Sequence, residues 1–179
     1  MDFRLTTSRI GEYPLVVICG LEWPFLPEDP RVQRMLLGNS PAKIDEKGRI
    51  KIPTAFRTPI DRQYGREFFV TSTNGRYVRI YPLPVWLSIL ERLSGVSSFN
   101  PAATRFLDAV NYFGSQAMMD RQGRLLIQPL LRSRAKMNGE VAVLGNQDHL
   151  DVWNRELFER KLDQEPVTED DLRELASLV

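Results

Sequence analysis

The sequence contains only one cysteine, Cys19, and only one histidine, His149. A single cysteine excludes a disulfide within the chain, which fits a reducing compartment. The scarcity of both residues also argues against a zinc cluster of Cys and His ligands and against a Ser-His-Asp catalytic site. We interpret His149 as an ordinary strand or loop histidine, with a lone catalytic base as the alternative. The sequence therefore predicts neither a metal site nor a cofactor.

Long hydrophobic runs are also missing. No stretch approaches the roughly 20 apolar residues of a membrane span. The run PLVVICGL, residues 14–21, is short, follows Asp2 and Glu12, and has no small-residue cleavage site after it, which argues against a signal peptide. We therefore expect a cytoplasmic protein without a membrane partner.

Residues 1–34 have no counterpart elsewhere in the chain. The stretch EWPFLPEDP, residues 22–30, contains three prolines and is typical of irregular chain. We expect residues 1–34 to be an N-terminal extension that is either irregular or translated from a start codon assigned too far upstream.

The net charge of +1 conceals an uneven distribution. Residues 39–86 hold 9 Lys/Arg and 4 Asp/Glu, a net charge of +5, whereas residues 115–158 hold 6 and 5, a net charge of +1. Residues 159–179 hold 3 and 7, a net charge of −4, and form an acidic C-terminal tail. A local basic segment favours a polyanionic partner.

A repeated segment organises the chain after Met35. Residues 45–57, the first copy, align with residues 120–132, the second copy, at a distance of 75 positions and with five identities in thirteen. Two copies are too few for a solenoid, so a pseudo-symmetric pair is predicted. The identical pairs are Asp45/Asp120, Gly48/Gly123, Arg49/Arg124, Ile52/Ile127 and Arg57/Arg132.

The similarity continues downstream, where residues 67–86 align with residues 140–158. Both segments have the pattern of strand, turn, strand and helix start, with turn residues in STNG (72–75) and GNQD (145–148). The inward positions Val78 and Ile80 of one strand match Leu150 and Val152. We therefore predict two modules, residues 39–86 and 115–158, each with four short strands and a little helix.

Neither module is large enough to bury a sufficient apolar surface alone, so we expect the two to complete one core by interleaving their hairpins. The connector, residues 87–114, has the caps and spacing of a helix pair. The predicted fold class is α+β, mainly β: two pseudo-symmetric swapped-hairpin modules form one barrel-like core, with connecting and C-terminal helices. The connector signals are Trp86, Ile89, Leu90 and Leu93 at helical spacing, Asn100 as an N-cap, Pro101 at the first helical position and Gly114 as a stop.

The repeated motif Asp-x-x-Gly-Arg predicts a tight turn that leads into a strand. The Asp side chain accepts backbone N–H bonds, and Gly tolerates a positive φ. In the first copy Ile50 points to one side of the strand, whereas Arg49 and Lys51 point to the other, with Lys47 on the turn. Such a rigid group of cations suits contacts with phosphates and base edges. The candidate DNA-binding residues are Arg49, Arg124, Lys47, Lys51, Arg57 and Arg132.

A structural alternative exists for every one of these residues. Asp45 and Arg49 can simply pair and hold the turn, and Arg57 and Arg132 can cover the core or pair with the acidic tail. We assign Asp45, Gly48, Asp120 and Gly123 to shaping the turn and orienting the arginine, because a carboxylate repels phosphate.

The two copies are not equivalent. Lys47 becomes Gln122, Lys51 becomes Leu126, and Arg79 becomes Asp151 on the later strand. We therefore expect the first copy to contribute more to binding a polyanion, with Arg121 as a partial substitute in the second.

The two Asp-x-x-Gly-Arg copies, IYPLPVW between them, the connector FNPAATRF and the closing LDVWNRELFE together resemble the MraZ family of bacterial transcriptional regulators. The resemblance runs from Met35 to about Lys161, and MLLG at residues 35–38 resembles the family's start. It implies tandem AbrB-like modules and assembly into a ring. It also implies binding to direct repeats of double-stranded DNA upstream of the protein's own operon for cell division and cell-wall synthesis, hence a nucleoid location. The family's Asp and Arg map onto Asp45 with Arg49 and Asp120 with Arg124.

Three functions remain open. A sequence-specific DNA-binding transcriptional regulator is favoured, with no catalysis and no small-molecule ligand. The alternative is a protein-interaction ring, antitoxin-like or scaffolding, with little DNA specificity. A small enzyme that uses Asp45 or Asp120 is the third, and no cofactor motif or nucleophile–base pair supports it.

Overall fold

The computed structural model of this chain describes residues 9–10, 13–18, 21–24, 35–97 and 99–178. The chain divides after Met35 into two compact units. None of the described helices is both long and apolar enough to cross a membrane.

The first unit contains three short strands, β1 (Arg9–Ile10), β2 (Tyr13–Ile18) and β3 (Leu21–Pro24), in one antiparallel sheet of order β1-β2-β3. The expectation of irregular chain is therefore wrong for these residues. The β-branched residues of β2 favour a strand, and β3 pairs with them up to Pro24 at a sheet edge, where proline is tolerated. Residues 25–34, with the other two prolines, lie outside the described residues.

The second unit combines strands and helices in the order expected from the repeat. The strands are β4 (Leu36–Lys43), β5 (Arg49–Lys51), β6 (Glu67–Thr71), β7 (Val78–Pro82), β8 (Ser115–Met118), β9 (Arg124–Leu126), β10 (Glu140–Gln147) and β11 (His149–Asn154). The helices are α1 (Thr54–Gln63), α2 (Leu83–Ser94), α3 (Pro101–Tyr112), α4 (Pro129–Arg134), α5 (Arg155–Gln164) and α6 (Glu169–Leu178). The expected α+β class, dominated by antiparallel strands, is confirmed.

The strand order shows how the two halves of this unit are joined. Six strands form one antiparallel sheet of order β4-β10-β11-β7-β6-β8, and β5 pairs with β9 in a separate two-stranded ribbon. The strand before the first copy, β4, pairs with β10, which follows the second copy. The strand before the second copy, β8, pairs with β6, which follows the first copy. Each half therefore supplies an edge strand to the hairpin of the other.

Both halves contribute side chains to one apolar core. The predicted inward positions Val78, Ile80, Leu150 and Val152 are all at most 1% exposed. The side chains of Ile50, Ile52, Leu125 and Ile127 reach the same core from the ribbon and are equally buried.

A second apolar cluster lies under the connector helices. Trp86 of α2 stacks on Phe69 of β6 with the ring centroids 4.4 Å apart, and Val110 of α3 is buried beside it. Asn100 caps α3 as predicted, because its side chain accepts the N–H groups of Ala102 and Ala103. The helix pair expected for the connector is confirmed.

The turn at residues 145–148 is tighter than the sequence predicts. Gly145 and Asn146 belong to β10 and pair with Leu150 and His149. Two residues remain for the loop, and the first, Gln147, has a φ of 64°. The strand is longer because β4 pairs with β10 as far as Gln147 and satisfies its backbone groups. His149 is therefore a strand residue, as predicted.

The positions of Arg79 and Asp151, which differ between the two halves, turn out to face each other. They are register partners on β7 and β11, and Nε of Arg79 lies 2.8 Å from Oδ1 of Asp151. Burial opposes the charge on Arg79, but the hydrogen bonds to Asp151 outweigh it and raise the arginine pKa. Asp151 is only 7% exposed, whereas the side chain of Arg79 is 24% exposed, so this is a half-buried ion pair at the seam between the halves.

Removing one partner of this pair should destabilise the protein strongly. Asp151→Ala leaves the half-buried Arg79 without its counter-charge, and we expect a loss of about 2 kcal/mol in the free energy of unfolding, measured in urea. The double variant Arg79→Met/Asp151→Leu should lose less than Asp151→Ala alone, because no unpaired charge remains. Glu140→Ala, which breaks the exposed pair with Arg155, is the control and should change little. A larger loss in the double variant than in the single one would contradict a seam held by charge pairing.

Candidate nucleic-acid interface

The first copy begins with a turn that is held by its aspartate. Oδ1 of Asp45 accepts the backbone N–H of Lys47 at 3.0 Å and that of Arg49 at 2.8 Å. The N–H of Gly48 donates to the carbonyl of Asp45, and Gly48 has a φ of 78°, in the left-handed region that favours glycine. The spacing of Asp and Gly predicts this turn because all its contacts lie within four residues.

The same carboxylate also holds the arginine side chain. Oδ2 of Asp45 accepts Nε of Arg49 at 2.8 Å and lies 2.7 Å from Nη2. The backbone N–H of Arg49, and then its guanidinium, lower the pKa of Asp45. The carboxylate therefore stays ionised at neutral pH and fixes the direction of the guanidinium. Within the described part of the chain no hydrogen bond is made by Nη1, which is left for an external acceptor.

The second copy repeats this geometry. Oδ1 of Asp120 accepts the N–H of Gln122 at 2.8 Å and that of Arg124 at 3.0 Å, and Oδ2 accepts Nε of Arg124 at 2.8 Å. The backbone N–H of Arg124 is the main cause of a lowered pKa at Asp120. The Asp–Arg pairing that the sequence analysis considered as an alternative to DNA binding is therefore present at both turns.

The pairing of β5 with β9 brings the two turns to opposite ends of one ribbon. Arg49 lies opposite Leu126, and Lys51 lies opposite Arg124. These four outward residues form what we call the ribbon face; the residues between them, Ile50 and Leu125, are fully buried. The ribbon face therefore carries three cations and one leucine on a rigid backbone.

Each turn is also held by the other copy. The N–H of Ile52 donates to the carbonyl of Gly123 at 2.8 Å, and that of Ile127 donates to the carbonyl of Gly48 at 3.0 Å. The two copies therefore fix each other's turns and continue the ribbon at both ends.

Arg57 and Arg132 lie against the turn of the opposite copy. Nη2 of Arg57 is 3.5 Å from the carbonyl of Arg121, and its Nε pairs with Asp61 at 3.4 Å. The guanidinium of Arg132 lies over Gly48, where a methyl group on the glycine would collide with Nη1. Neither arginine forms an ion pair with the described residues of the acidic tail. Both are half-buried beside the turns rather than on the ribbon face.

Lys47 and its counterpart Gln122 are exposed on the turns, as is Arg121. Arg49, Lys51 and Arg124 thus lie on the ribbon face and Lys47 on a turn that flanks it, whereas Arg57 and Arg132 reach the turns from α1 and α4. The sequence pattern did not predict that Arg132 lies over Gly48 and Arg57 over Gly123, nor that Leu126 lies opposite Arg49. These contacts join residues far apart in the chain, which local patterns do not reveal. No group of three potential metal ligands occurs among the described residues.

Replacing Gly48 should report on the contact with Arg132. Gly48→Ala places a methyl group in the left-handed region, at a cost of about 1 kcal/mol, and also displaces Arg132. Gly139→Ala is the matched control, because Gly139 has a similar φ of 75° and open space around it. In urea unfolding, Gly48→Ala should cost more than Gly139→Ala, and the excess should vanish when both are measured in an Arg132→Ala background. Equal costs in the unmodified background would contradict a stabilising cover by Arg132.

The lowered pKa values of Asp45 and Asp120 predict a stability that depends on pH. A carboxyl group whose pKa is lower in the folded state stabilises the protein above its ordinary value of 3.8. That contribution is lost as the pH falls through the folded-state pKa. The double variant Asp45→Asn/Asp120→Asn should therefore be less stable than the unmodified protein at neutral pH, and the difference should shrink below pH 3.8.

Urea midpoints across this range measure the effect, and Asp163→Asn on α5, outside both copies, serves as the control. A difference that does not change with pH would contradict the ionised pairing at the turns.

The sequence matches the profile of a known family over most of the described second unit. The family is described as "MraZ protein, putative antitoxin-like", and the match covers residues 35–109 and 114–177. The two matched segments each contain one copy of the repeat.

Relatives named transcriptional regulator MraZ are similar along nearly their whole length. The protein of Acidobacterium capsulatum is 44% identical over 142 residues, which cover 79% of this chain and 97% of the relative. The protein of Koribacter versatilis is 39% identical over 145 residues, which cover 80% of this chain and 99% of the relative. The protein of Nitrosomonas eutropha is 33% identical over 129 residues, which cover 72% of this chain and 87% of the relative. With two profile matches and relatives of this similarity, the chain belongs to the MraZ family.

Proposed function

We propose that this protein is a sequence-specific DNA-binding transcriptional regulator that reads DNA with the ribbon face. The names of its relatives support the regulatory function. The observation that carries the proposal is the ribbon itself, a two-stranded element with an aspartate-oriented arginine at each end and three outward cations. The major groove of B-DNA admits a two-stranded ribbon of this kind.

The cations of this surface have different roles in the proposal. The pair of Asp45 with Arg49 has no net charge, so it adds little to the general attraction for phosphate. It presents instead a fixed guanidinium whose free N–H groups suit the two acceptors of a guanine edge. Arg124 does the same at the other end. Lys47 and Lys51 form no ion pair with the described residues, and in the proposal they bind phosphates, which fix position without reading sequence.

Arg57, Arg132 and Arg121 belong to the margin of the interface. Their charges lie beside the turns and approach the sugar-phosphate backbone on either side of the ribbon. Leu126 replaces the lysine of the first copy and offers an apolar contact with a thymine methyl group. The two ends of the ribbon therefore differ in chemistry, and we infer an asymmetric DNA box.

A single ribbon makes few contacts, so we infer that several copies act together. An oligomeric ring that presents ribbons to direct repeats gains affinity through effective concentration. We propose that those repeats lie upstream of the protein's own operon for cell division and cell-wall synthesis, and that the protein is cytoplasmic and associated with the nucleoid. We also propose that residues 39–86 and 115–158 are AbrB-like swapped-hairpin modules, supported by the crossed pairing of β4 with β10 and β8 with β6.

The second candidate is a protein-interaction ring with little DNA specificity. The description of the family as antitoxin-like and the exposed acidic helix α6 favour it. An enzyme is not proposed, because both candidate carboxylates are held by arginine and are not available as bases.

Fluorescence anisotropy with the DNA upstream of the gene, at several salt concentrations, tests the proposal. Arg49→Ala should weaken binding to the specific DNA by about 1–3 kcal/mol, roughly 5- to 150-fold, with a smaller effect on unrelated DNA. Lys51→Ala should weaken binding to all sequences alike and lower the slope of log K against log salt by about 1. Leu126→Lys should raise that slope by about 1.

Arg92→Ala is the control, because it removes an exposed cation on α2, away from the ribbon, and should leave specificity unchanged. DNA with one box should bind far more weakly than DNA with several. Weak binding that depends on neither sequence nor Arg49 would exclude the proposal and favour the protein-interaction ring.

A further inference from the structure

A wide cleft with an aromatic floor lies beside strands β7 and β11, at the end of α4 and along helix α5, and its volume is about 870 Å³. Tyr77 stacks on Trp153 with the ring centroids 4.5 Å apart, and Phe158 of α5 lies 5.3 Å from Trp153. Tyr77 is buried, whereas Trp153 and Phe158 are partly exposed. We call this the aromatic cleft. Its size and its aromatic lining are typical of sites for small molecules.

The charges that line the aromatic cleft are mostly positive. Six Lys/Arg residues stand against two acidic residues, and both acidic residues are already paired. The two ion pairs are Asp151 with Arg79 and Glu165 with Lys161. Arg134 and Lys136 are exposed, and in the described part of the chain neither of them forms an ion pair. The cleft therefore suits an anion that also carries an apolar or aromatic group.

The backbone of Lys136 is held in an unusual conformation. Its φ is 51°, in the left-handed region that residues other than glycine rarely adopt. The side-chain amide of Asn154 donates to the carbonyl of Lys136 at 2.8 Å, and Oδ1 of Asn154 accepts the N–H of Leu157 at the start of α5. Asn154 therefore ties the segment after α4 to the first turn of α5, and these two walls of the cleft are held together before a ligand binds.

We propose that the aromatic cleft binds a nucleotide. The planar base lies against the partly exposed rings of Trp153 and Phe158, and the phosphates lie on Arg134 and Lys136. A guanidinium binds phosphate through two parallel hydrogen bonds, and an ammonium adds a compact positive charge. Every base has a π face that stacks on an aromatic side chain, so nucleoside phosphates are expected as a class.

This site is separate from the DNA-reading surface. The residues that line the cleft include none of the ribbon face. The proposal departs from the expectation, drawn from the sequence, that the protein has no small-molecule ligand. Tyr77 comes from the first half of the repeat and Trp153 from the second, so a bound nucleotide contacts both halves and should stabilise the fold.

Tryptophan fluorescence of the full chain, titrated with ATP and with GTP in magnesium-free buffer at physiological salt, tests the proposal. A saturable change in emission is expected, because a base comes to lie beside Trp153, and the change should be absent in Trp153→Phe. The same nucleotides should raise the melting temperature, since a ligand that binds only the folded state stabilises it. Tripolyphosphate and adenosine, which carry only the phosphates or only the base, should each bind about tenfold more weakly than ATP or less.

Lys136→Gly is the sharpest variant, because glycine suits the positive φ at this position and the change removes the ammonium group. It should weaken ATP binding about tenfold without lowering the melting temperature of the unliganded protein. Arg134→Gln should weaken binding by a similar factor. Lys51→Ala is the matched control, because it removes an exposed cation from the ribbon face, and it should leave ATP binding unchanged.

Absence of binding by both nucleotides, unchanged binding in Lys136→Gly and Arg134→Gln, or loss of binding in Lys51→Ala would each overturn the proposal. Equal binding of tripolyphosphate or of a poly-glutamate peptide would overturn it too, because the cleft would then be a general surface for polyanions. Since DNA is absent from these titrations, their outcomes are separate from failure of the proposed regulatory function.

Discussion

The reciprocal pairing of β5 with β9 is the contact on which the rest of the second unit depends. Each of these two short strands forms its ladder with the other. The pairing places Ile50 and Leu125 in the core, and burying one such side chain fully stabilises the fold by about 1.5–3 kcal/mol. Ile52 and Ile127 are buried in the core, and the N–H of each donates to the carbonyl of the turn glycine of the other copy. The same contacts place both oriented arginines on one surface, so the order of the core and the shape of the ribbon face have a common cause.

Duplication within one chain allows equivalent positions to diverge, and Arg79 with Asp151 shows the consequence. These positions face each other across the seam, so two identical halves would oppose arginine with arginine or aspartate with aspartate. Like charges in this half-buried site would repel each other, whereas the observed pair is hydrogen-bonded. The replacement of arginine by aspartate at position 151 therefore does more than remove one basic residue, because it creates an ion pair between the first half and the second.

The distribution of charge distinguishes the ribbon face from the acidic helix α6. At the ribbon face the charges of Arg49 and Arg124 are each balanced by an aspartate, Asp45 or Asp120. These arginines therefore differ from the neighbouring lysines in having a fixed guanidinium orientation and little net charge. The acidic residues of α6 would repel DNA wherever they approached it.

The sequence by itself determined the turn at Asp45, the alternation of Ile50 with Arg49, the cap at Asn100 and the existence of two related halves. These features rest on contacts within about four residues or on periodicity, which a single sequence displays. Only the tertiary structure decided that β4 pairs with β10, that Arg132 covers Gly48 and that Arg79 meets Asp151. Those contacts join residues distant in the chain, and their energy exists only after the two halves have packed together.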